Sequence, residues 1–196
     1  MKEMNRREFL ALTGAAVVAL SLAGCDDAPP APPAPPAPTT SKETELLTAI
    51  NKVWKEKHDA GLVDHEQLTL NQDAVDFLSA YGHVLEKANE NPHTLILGDD
   101  TMLSKGFIDF AKKMQKHGGE DSVVGTAGIF HRTHDDVVTL EYKYSCEDAA
   151  VRAFVEKLLD SNPNSRKAEF ISIYCPVVNN VTYMTAIVFW NKTATP

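Results

Sequence analysis

The stretch LTLNQDAVDFLSAYGHVLEKANENPH, from Leu68 to His93, contains the helical pattern that decides the fold prediction. Thr69 and Gln72 have the spacing of a capping box, in which two side chains bond the first free N–H groups of a helix. Asn91-Pro92 ends the pattern, because proline disfavours a helical conformation in the residue before it. Apolar residues recur every three or four positions and predict one buried face: Ala74, Phe77, Leu78, Tyr81, Leu85 and Ala88.

Three further segments have helical periodicity. The first has Thr40 and Glu43 as a capping box and Gly61 just beyond its end, where glycine commonly ends a helix. The second ends before Gly118-Gly119. The predicted helices are Thr40–Lys57, Ser104–Lys116 and Ser145–Leu159.

Two regions have the period of β-strands. DVVTLEYKYS, from Asp136 to Ser145, alternates with Val138 and Leu140 on one face and Glu141 on the other. Near the end of the chain, AEFISIYCPVV and VTYMTAIVFW flank Asn179-Asn180, a strong signal for a two-residue hairpin. Helices followed by strands with one intervening helix predict the α+β class with a small antiparallel sheet.

The first 24 residues have the pattern of a cleaved lipoprotein signal peptide. Arg6 and Arg7 precede a short apolar run, which resembles a twin-arginine export signal; an ordinary secretory signal is the alternative. The run ends in LAGC, from Leu22 to Cys25, which resembles a lipobox. In such proteins the cysteine is acylated after cleavage, so Cys25 is the predicted lipid anchor to the membrane.

Residues 25–41 form the predicted anchor and linker, and residues 42–196 the predicted globular domain. The proline-rich run APPAPPAPPAPTT favours an extended polyproline spacer, because proline lacks the N–H that helices and sheets need. Asp26 and Asp27 resemble a signal that retains lipoproteins in the inner membrane. For a Gram-negative cell they therefore predict the periplasmic face of that membrane.

The net charge limits the partners that the domain can bind, and the cysteine count limits the disulfides it can form. Cleavage before Cys25 leaves 16 basic and 25 acidic residues, a net charge of −9, which argues against nucleic acid as a partner. Cys146 and Cys175 are the two cysteines left after lipidation. They could form a disulfide in an oxidising export compartment or remain two free thiols.

The helices, together with Gly61-Leu62 and the stretch from Leu68 to His93, resemble the bacterial branch of the CAP superfamily (cysteine-rich secretory proteins, antigen 5, pathogenesis-related 1). The resemblance covers most of residues 42–190 by order and spacing more than by identity. It implies an α-β-α sandwich, in which helices flank a small antiparallel sheet. It also implies a central cleft where two histidines and one or two glutamates can hold a divalent metal.

The resemblance assigns the cleft residues one by one. His93 and Glu141 match family positions, Ser165 stands in place of the second histidine, and Glu156 is a candidate for the second glutamate. Zinc in proteins usually has three or four good ligands. We therefore expect no resident cofactor, and at most weak binding of a divalent metal.

Other patterns give weaker hypotheses. HRTHDD contains His131 and His134 as a weaker alternative metal site, although we expect this segment to be a solvated loop.

The predicted function is an envelope lipoprotein whose domain binds a lipid, peptide, glycan or protein without catalysis. One alternative is a metal-dependent or serine hydrolase, the latter using Ser165 as nucleophile. The other is a purely structural adaptor on a spacer.

Overall fold

The computed structural model describes residues 41–88, 94–96, 101–132 and 137–192. Within these ranges the helices are α1 (Lys42–Asp59), α2 (Val75–Ala88), α3 (Thr101–Met114) and α4 (Asp148–Asp160). The strands are β1 (Thr69–Leu70), β2 (Thr94–Ile96), β3 (Val123–Ala127), β4 (Ile129–Arg132), β5 (Val137–Leu140), β6 (Phe170–Tyr174), β7 (Val177–Val178), β8 (Val181–Thr182) and β9 (Thr185–Phe189). The predicted α+β class is confirmed.

The described strands form three sheets. The largest has the order β1-β6-β9-β3, a second has the order β2-β5-β4, and β7 and β8 form a two-stranded hairpin. All pairs are antiparallel except β1 with β6, which run parallel. The expectation of a purely antiparallel sheet is therefore wrong at this edge. There the chain enters α2 from β1 instead of returning through a hairpin.

Helices cover both faces of the four-stranded sheet. Ala186 and Val188 of β9 pack in one cluster with side chains of α1 and α4. Ile187 and Phe189, the alternate residues of the same strand, pack in another cluster with side chains of α2 and α3. Successive side chains of a strand point to opposite faces, so α1 and α4 lie on one side and α2 and α3 on the other.

The first helix begins one residue later than its predicted cap requires. Ser41 is the N-cap, and its Oγ accepts a hydrogen bond from the Thr44 backbone N–H at 3.3 Å. The helix ends at Asp59, two residues after the predicted Lys57. Gly61 follows the end as predicted: its φ is +72°, its N–H donates to the His58 carbonyl, and the Leu62 N–H donates to the Lys57 carbonyl. These two bonds are the Schellman pattern that glycine favours.

The predicted cap of the second helix is wrong. Thr69 lies in β1, and Asn71 caps the following turn by accepting a hydrogen bond from the Asp73 N–H at 2.9 Å. The Gln72 amide instead exchanges two hydrogen bonds with the Ile173 backbone, at 2.8 and 3.0 Å. These bonds extend the pairing of β1 with β6, and this tertiary contact outweighs the local capping pattern.

The other two helices are shifted from their predicted bounds. The third helix begins at Thr101 instead of Ser104, and a 3-10 turn, Gln115–His117, follows it. The fourth helix begins at Asp148, three residues after its predicted start. Their predicted apolar faces are largely correct, since the following residues are buried: Phe110, Met114, Val151, Phe154, Val155 and Leu158.

The predicted strand from Asp136 to Ser145 changes partner part-way. Its first half is β5, which pairs with β2 and β4. Beyond Glu141 the chain turns to the segment before β9, where the Tyr142 carbonyl accepts from the Met184 N–H. The Tyr142 ring then packs on Phe154 of α4 at 5.3 Å. The predicted alternation continues, with Glu141 exposed and Tyr142 half-buried, but Tyr142 joins a different cluster from Val138 and Leu140.

The predicted hairpin at Asn179-Asn180 is confirmed. Both asparagines have positive φ angles, 54° and 63°, as the favoured two-residue turn requires. They connect β7 to β8, with Val178 opposite Val181. None of the helices in the described ranges has the length and apolar character needed to span a bilayer.

Candidate functional site

The β3–β4 cleft is a cavity of about 390 Å³ beside β3 and β4, lined also by α2 and by the end of α4. Its apolar and polar side chains face the same space. We define it by its lining residues: Phe77, Leu78, Tyr81, Thr126, Ala127, Ile129, Phe130, His131, Glu141, Lys157, Asp160 and Ser161.

Gly128 forms the joint between the two strands that line the cleft. Its φ is +91°, and a Cβ at this position would overlap the Met184 carbonyl oxygen. Its own carbonyl accepts a hydrogen bond from the Glu141 N–H at 3.0 Å. This bond fixes the backbone of Glu141 beside β4, so the carboxylate starts from a well-defined position at the cleft.

The floor of the cleft is aromatic. Phe77 and Tyr81, one turn apart on α2, have ring centroids 5.4 Å apart in an edge-to-face arrangement. The Tyr81 hydroxyl is 3.0 Å from His131 Nδ1, and the two rings are 5.4 Å apart. His131 is therefore held against the floor by a hydrogen bond and a ring contact.

The rim of the cleft carries three charged side chains. Lys157 Nζ lies 4.0 Å from Glu141 Oε1, and the two side chains are 45 % and 29 % exposed. An ion pair this long and this exposed is weak, so both groups remain accessible to a ligand. Asp160 lines the same cavity and forms no ion pair with any residue in the described ranges.

The predicted cleft residues divide between two places. Glu141 lines the β3–β4 cleft. Ser165 and Glu156 line a separate cavity of about 330 Å³, here called the Ser165 depression, which also contains Leu62 and Leu159. His93 lies outside the described residues, as do Cys25 and His134.

Ser165 has a structural role in its depression. The residue is only 3 % exposed, and its hydroxyl donates to the Leu159 carbonyl at 2.6 Å. A serine nucleophile needs a base to accept its proton, whereas this hydroxyl donates its proton in a hydrogen bond to a carbonyl near the end of α4. Glu156 pairs with Lys57 at 3.3 Å and is well exposed.

His131 and Arg132 belong to a strand and not to the solvated loop predicted for HRTHDD, whose other residues lie outside the described ranges. His131 lies in β4, directly opposite Val138 of β5. The half-buried ring is held by Tyr81, whose distance in sequence hides the contact. No cluster of three His, Cys, Asp or Glu side chains suited to a metal ion occurs among the residues that the structure describes.

Cys146 and Cys175 are not joined by a disulfide in this structure. Cys146 is exposed, and its Sγ lies 3.4 Å from the Tyr144 hydroxyl. Burial, with a further contribution from the Glu43 carboxylate, raises the pKa of Cys175 to about 12. Cys175 is therefore protonated at neutral pH and a poor nucleophile.

Several cleft residues were missed at the level of sequence. Lys157, Asp160 and Ser161 follow the three- and four-residue spacing of one helical face, which could have indicated a shared surface. Phe130 and Tyr81 gave no such signal. No family model, curated protein or solved structure matches this chain.

Proposed function

We propose that the protein is a cell-envelope lipoprotein, anchored through Cys25, whose domain binds an extracytoplasmic ligand in the β3–β4 cleft without catalysing a reaction. One observation carries the ligand-binding part: an aromatic floor and three charged side chains share one cavity of about 390 Å³. Ligand sites are commonly concave and apolar with a few convergent polar groups.

The proposed domain architecture is a CAP-like α-β-α sandwich. Its support is the arrangement of α1 and α4 on one face of the main sheet and α2 and α3 on the other. Glu141, which the resemblance assigns to the family cleft, lines the cavity here too. Glu141 and Lys157 would supply the polar contacts that Ser165 cannot, because Ser165 lines a different cavity.

The two alternatives receive less support. A serine hydrolase using Ser165 is disfavoured by the bond from its hydroxyl to the Leu159 carbonyl. A purely structural adaptor gives no role to a half-buried histidine and a carboxylate beside an aromatic floor. Anchoring and periplasmic exposure are supported by the lipobox at Cys25 and by Asp26-Asp27.

The ligand-binding proposal is tested by methyl NMR on the full-length lipoprotein in detergent micelles. A panel of small aromatic amines and aromatic carboxylates serves as the probe. We expect chemical-shift changes at the cleft methyl groups of Leu78, Ala127 and Ile129. Leu62 and Leu159 of the Ser165 depression are the internal control, and larger changes there would refute this site.

The anchor is tested separately by Cys25→Ser. We expect the protein to leave the membrane fraction, because the acyl chains that hold it would be absent. Washing membranes with alkaline carbonate distinguishes lipid anchoring from peripheral association. Undiminished retention of the variant would contradict lipidation at Cys25 but would leave the cleft proposal standing.

A further inference from the structure

The β3–β4 cleft lies at the β3 edge of the four-stranded sheet. Among the described strands, β3 pairs only with β9 and β4 pairs only with β5. Residues 126, 127, 129, 130 and 131 all line the cavity. Because successive side chains point to opposite faces, a cavity lined by nearly consecutive residues runs along the edge of the strand.

The unpaired edge of β3 faces the cleft. β3 pairs with β9 along its other edge, whereas the Thr126 N–H bonds Ser161, which also lines the cavity. An exposed edge of this kind offers backbone N–H and C=O groups to any extended chain that lies alongside it.

A side chain occupies part of this edge. The Thr126 N–H donates to Ser161 Oγ at 3.1 Å, where a neighbouring strand would place a carbonyl oxygen. Ser161 is exposed, and its hydroxyl also donates to the Leu158 carbonyl at 2.8 Å. An incoming strand can replace the Ser161 oxygen at Thr126 while Ser161 keeps its own bond within α4.

The cleft also has space and charge for particular side chains. Phe130 is 44 % exposed beside the edge, next to the floor formed by Phe77 and Tyr81. Of the three rim charges, Glu141 and Asp160 are negative and Lys157 is positive. Lys157 can neutralise only one carboxylate, so the rim complements a basic side chain.

We infer that the β3–β4 cleft binds an extended peptide segment of a partner protein, which adds a strand to this edge and directs a basic side chain to Asp160 and Glu141. Strand addition obtains affinity from backbone hydrogen bonds and specificity from alternate side chains. In this arrangement apolar side chains of the peptide face Phe77 and Phe130. This inference names the ligand of the proposed binding site and therefore depends on that proposal.

The test uses three synthetic eight-residue peptides and the full-length lipoprotein in micelles. The first peptide alternates valine and lysine, the second alternates valine and glutamate, and the third is the first with every second amide N-methylated. N-methylation removes backbone donors without changing charge. We expect the first peptide to bind at least tenfold more tightly than either of the others, as measured by calorimetry.

Matched variants locate the basic side chain. Asp160→Asn should weaken binding of the valine–lysine peptide by roughly three- to tenfold, as expected for loss of one exposed charge contact. Glu156→Gln removes the same charge from α4 outside the cleft and should leave the affinity unchanged. Equal losses in both variants would mean that the peptide responds only to the overall negative charge, which would overturn the assignment.

The remaining outcomes separate the two proposals. Equal binding of the N-methylated peptide would refute strand addition, because only the backbone donors differ. Equal binding of the valine–glutamate peptide would refute the preference for a basic side chain. If the peptides fail to bind while aromatic amines shift the cleft methyl groups, only the peptide inference fails. If neither probe affects the cleft, both proposals fail.

Discussion

The β3–β4 cleft and the Ser165 depression are neighbouring cavities of similar volume that share Asp160 in their walls, yet their polar groups differ in use. In the depression, the Ser165 hydroxyl is buried and bonded to a carbonyl. In the cleft, Glu141 and Lys157 meet only at 4.0 Å and stay partly exposed. A polar residue near a cavity therefore indicates binding only when the fold has not already used its hydrogen bonds.

The largest expected effect tests the joint that shapes the cleft. Gly128→Ala places a methyl group against the Met184 carbonyl at a positive φ, so we expect a loss of about 3 kcal/mol in the free energy of unfolding. Denaturant unfolding measures it. Gly61→Ala is the matched control, because Gly61 also has positive φ, +72°, but no atom within 4 Å of its Cβ position.

The control isolates steric overlap from backbone strain. Gly61→Ala should cost about 1 kcal/mol, the typical penalty of a left-handed conformation for alanine. If both variants lost the same free energy of unfolding, steric overlap with Met184 would not contribute to the cost at Gly128. The position of Glu141 beside β4 would then lack its structural basis.

Asp73 and Asp160 give a second comparison, between a carboxylate that is hydrogen-bonded within the fold and one that is accessible in the cleft. Its Oδ2 accepts from Lys116 Nζ at 2.8 Å and contacts His117 Nε2 at 3.0 Å. Asp73→Asn should therefore cost about 2 kcal/mol at neutral pH, as for hydrogen bonds to charged groups. Asp160→Asn, in the cleft, should change stability by less than about 0.5 kcal/mol.

The same comparison predicts a pH dependence. Burial tends to raise the pKa of Asp73, but hydrogen bonds from Lys116 and His117 outweigh burial and hold it below its ordinary value of 3.8. Its stabilising contribution is thus complete above about pH 4 and disappears as the pH falls through the lower folded-state pKa. Wild-type stability should fall more steeply than that of Asp73→Asn in this acidic range. Parallel pH profiles would contradict the role of Asp73.

Local patterns predicted much of this fold. The four helices and the Asn179-Asn180 turn follow from periodicity and turn chemistry, which act within a few residues. The cap at Thr69 failed because the Gln72 amide bonds Ile173, about a hundred positions away. A capping pattern describes only nearby residues, so it cannot predict that a residue distant in sequence will bond the capping side chain.

The candidate site was less predictable for the same reason. A family resemblance assigned Glu141, Ser165 and Glu156 to one cleft, whereas Glu141 lines the β3–β4 cleft and the other two line the Ser165 depression. Tyr81 and His131 come together from α2 and β4, and neither segment alone indicates the contact. Ser165 was assigned by alignment to a site, but its burial and its bond to Leu159 follow from the turn after α4.

A smaller effect tests Ser165 directly. Ser165→Ala should lower the free energy of unfolding by about 1 kcal/mol, because the Leu159 carbonyl loses its donor. The cleft methyl groups should respond to aromatic amines as in the wild type. Loss of that response without loss of stability would instead give Ser165 a role in binding and would remove the contrast between the two cavities.

The smallest expected effect on stability concerns Glu141. Glu141→Gln breaks an exposed contact of 4.0 Å with Lys157 and should cost less than about 0.5 kcal/mol. Glu156→Gln breaks a comparably exposed pair with Lys57, at 3.3 Å, and should cost as little. The two variants should differ in calorimetric binding of the valine–lysine peptide, which only Glu141→Gln should weaken. Since both remove one exposed carboxylate at little cost to folding, any difference between them reports the position of the carboxylate relative to the cleft.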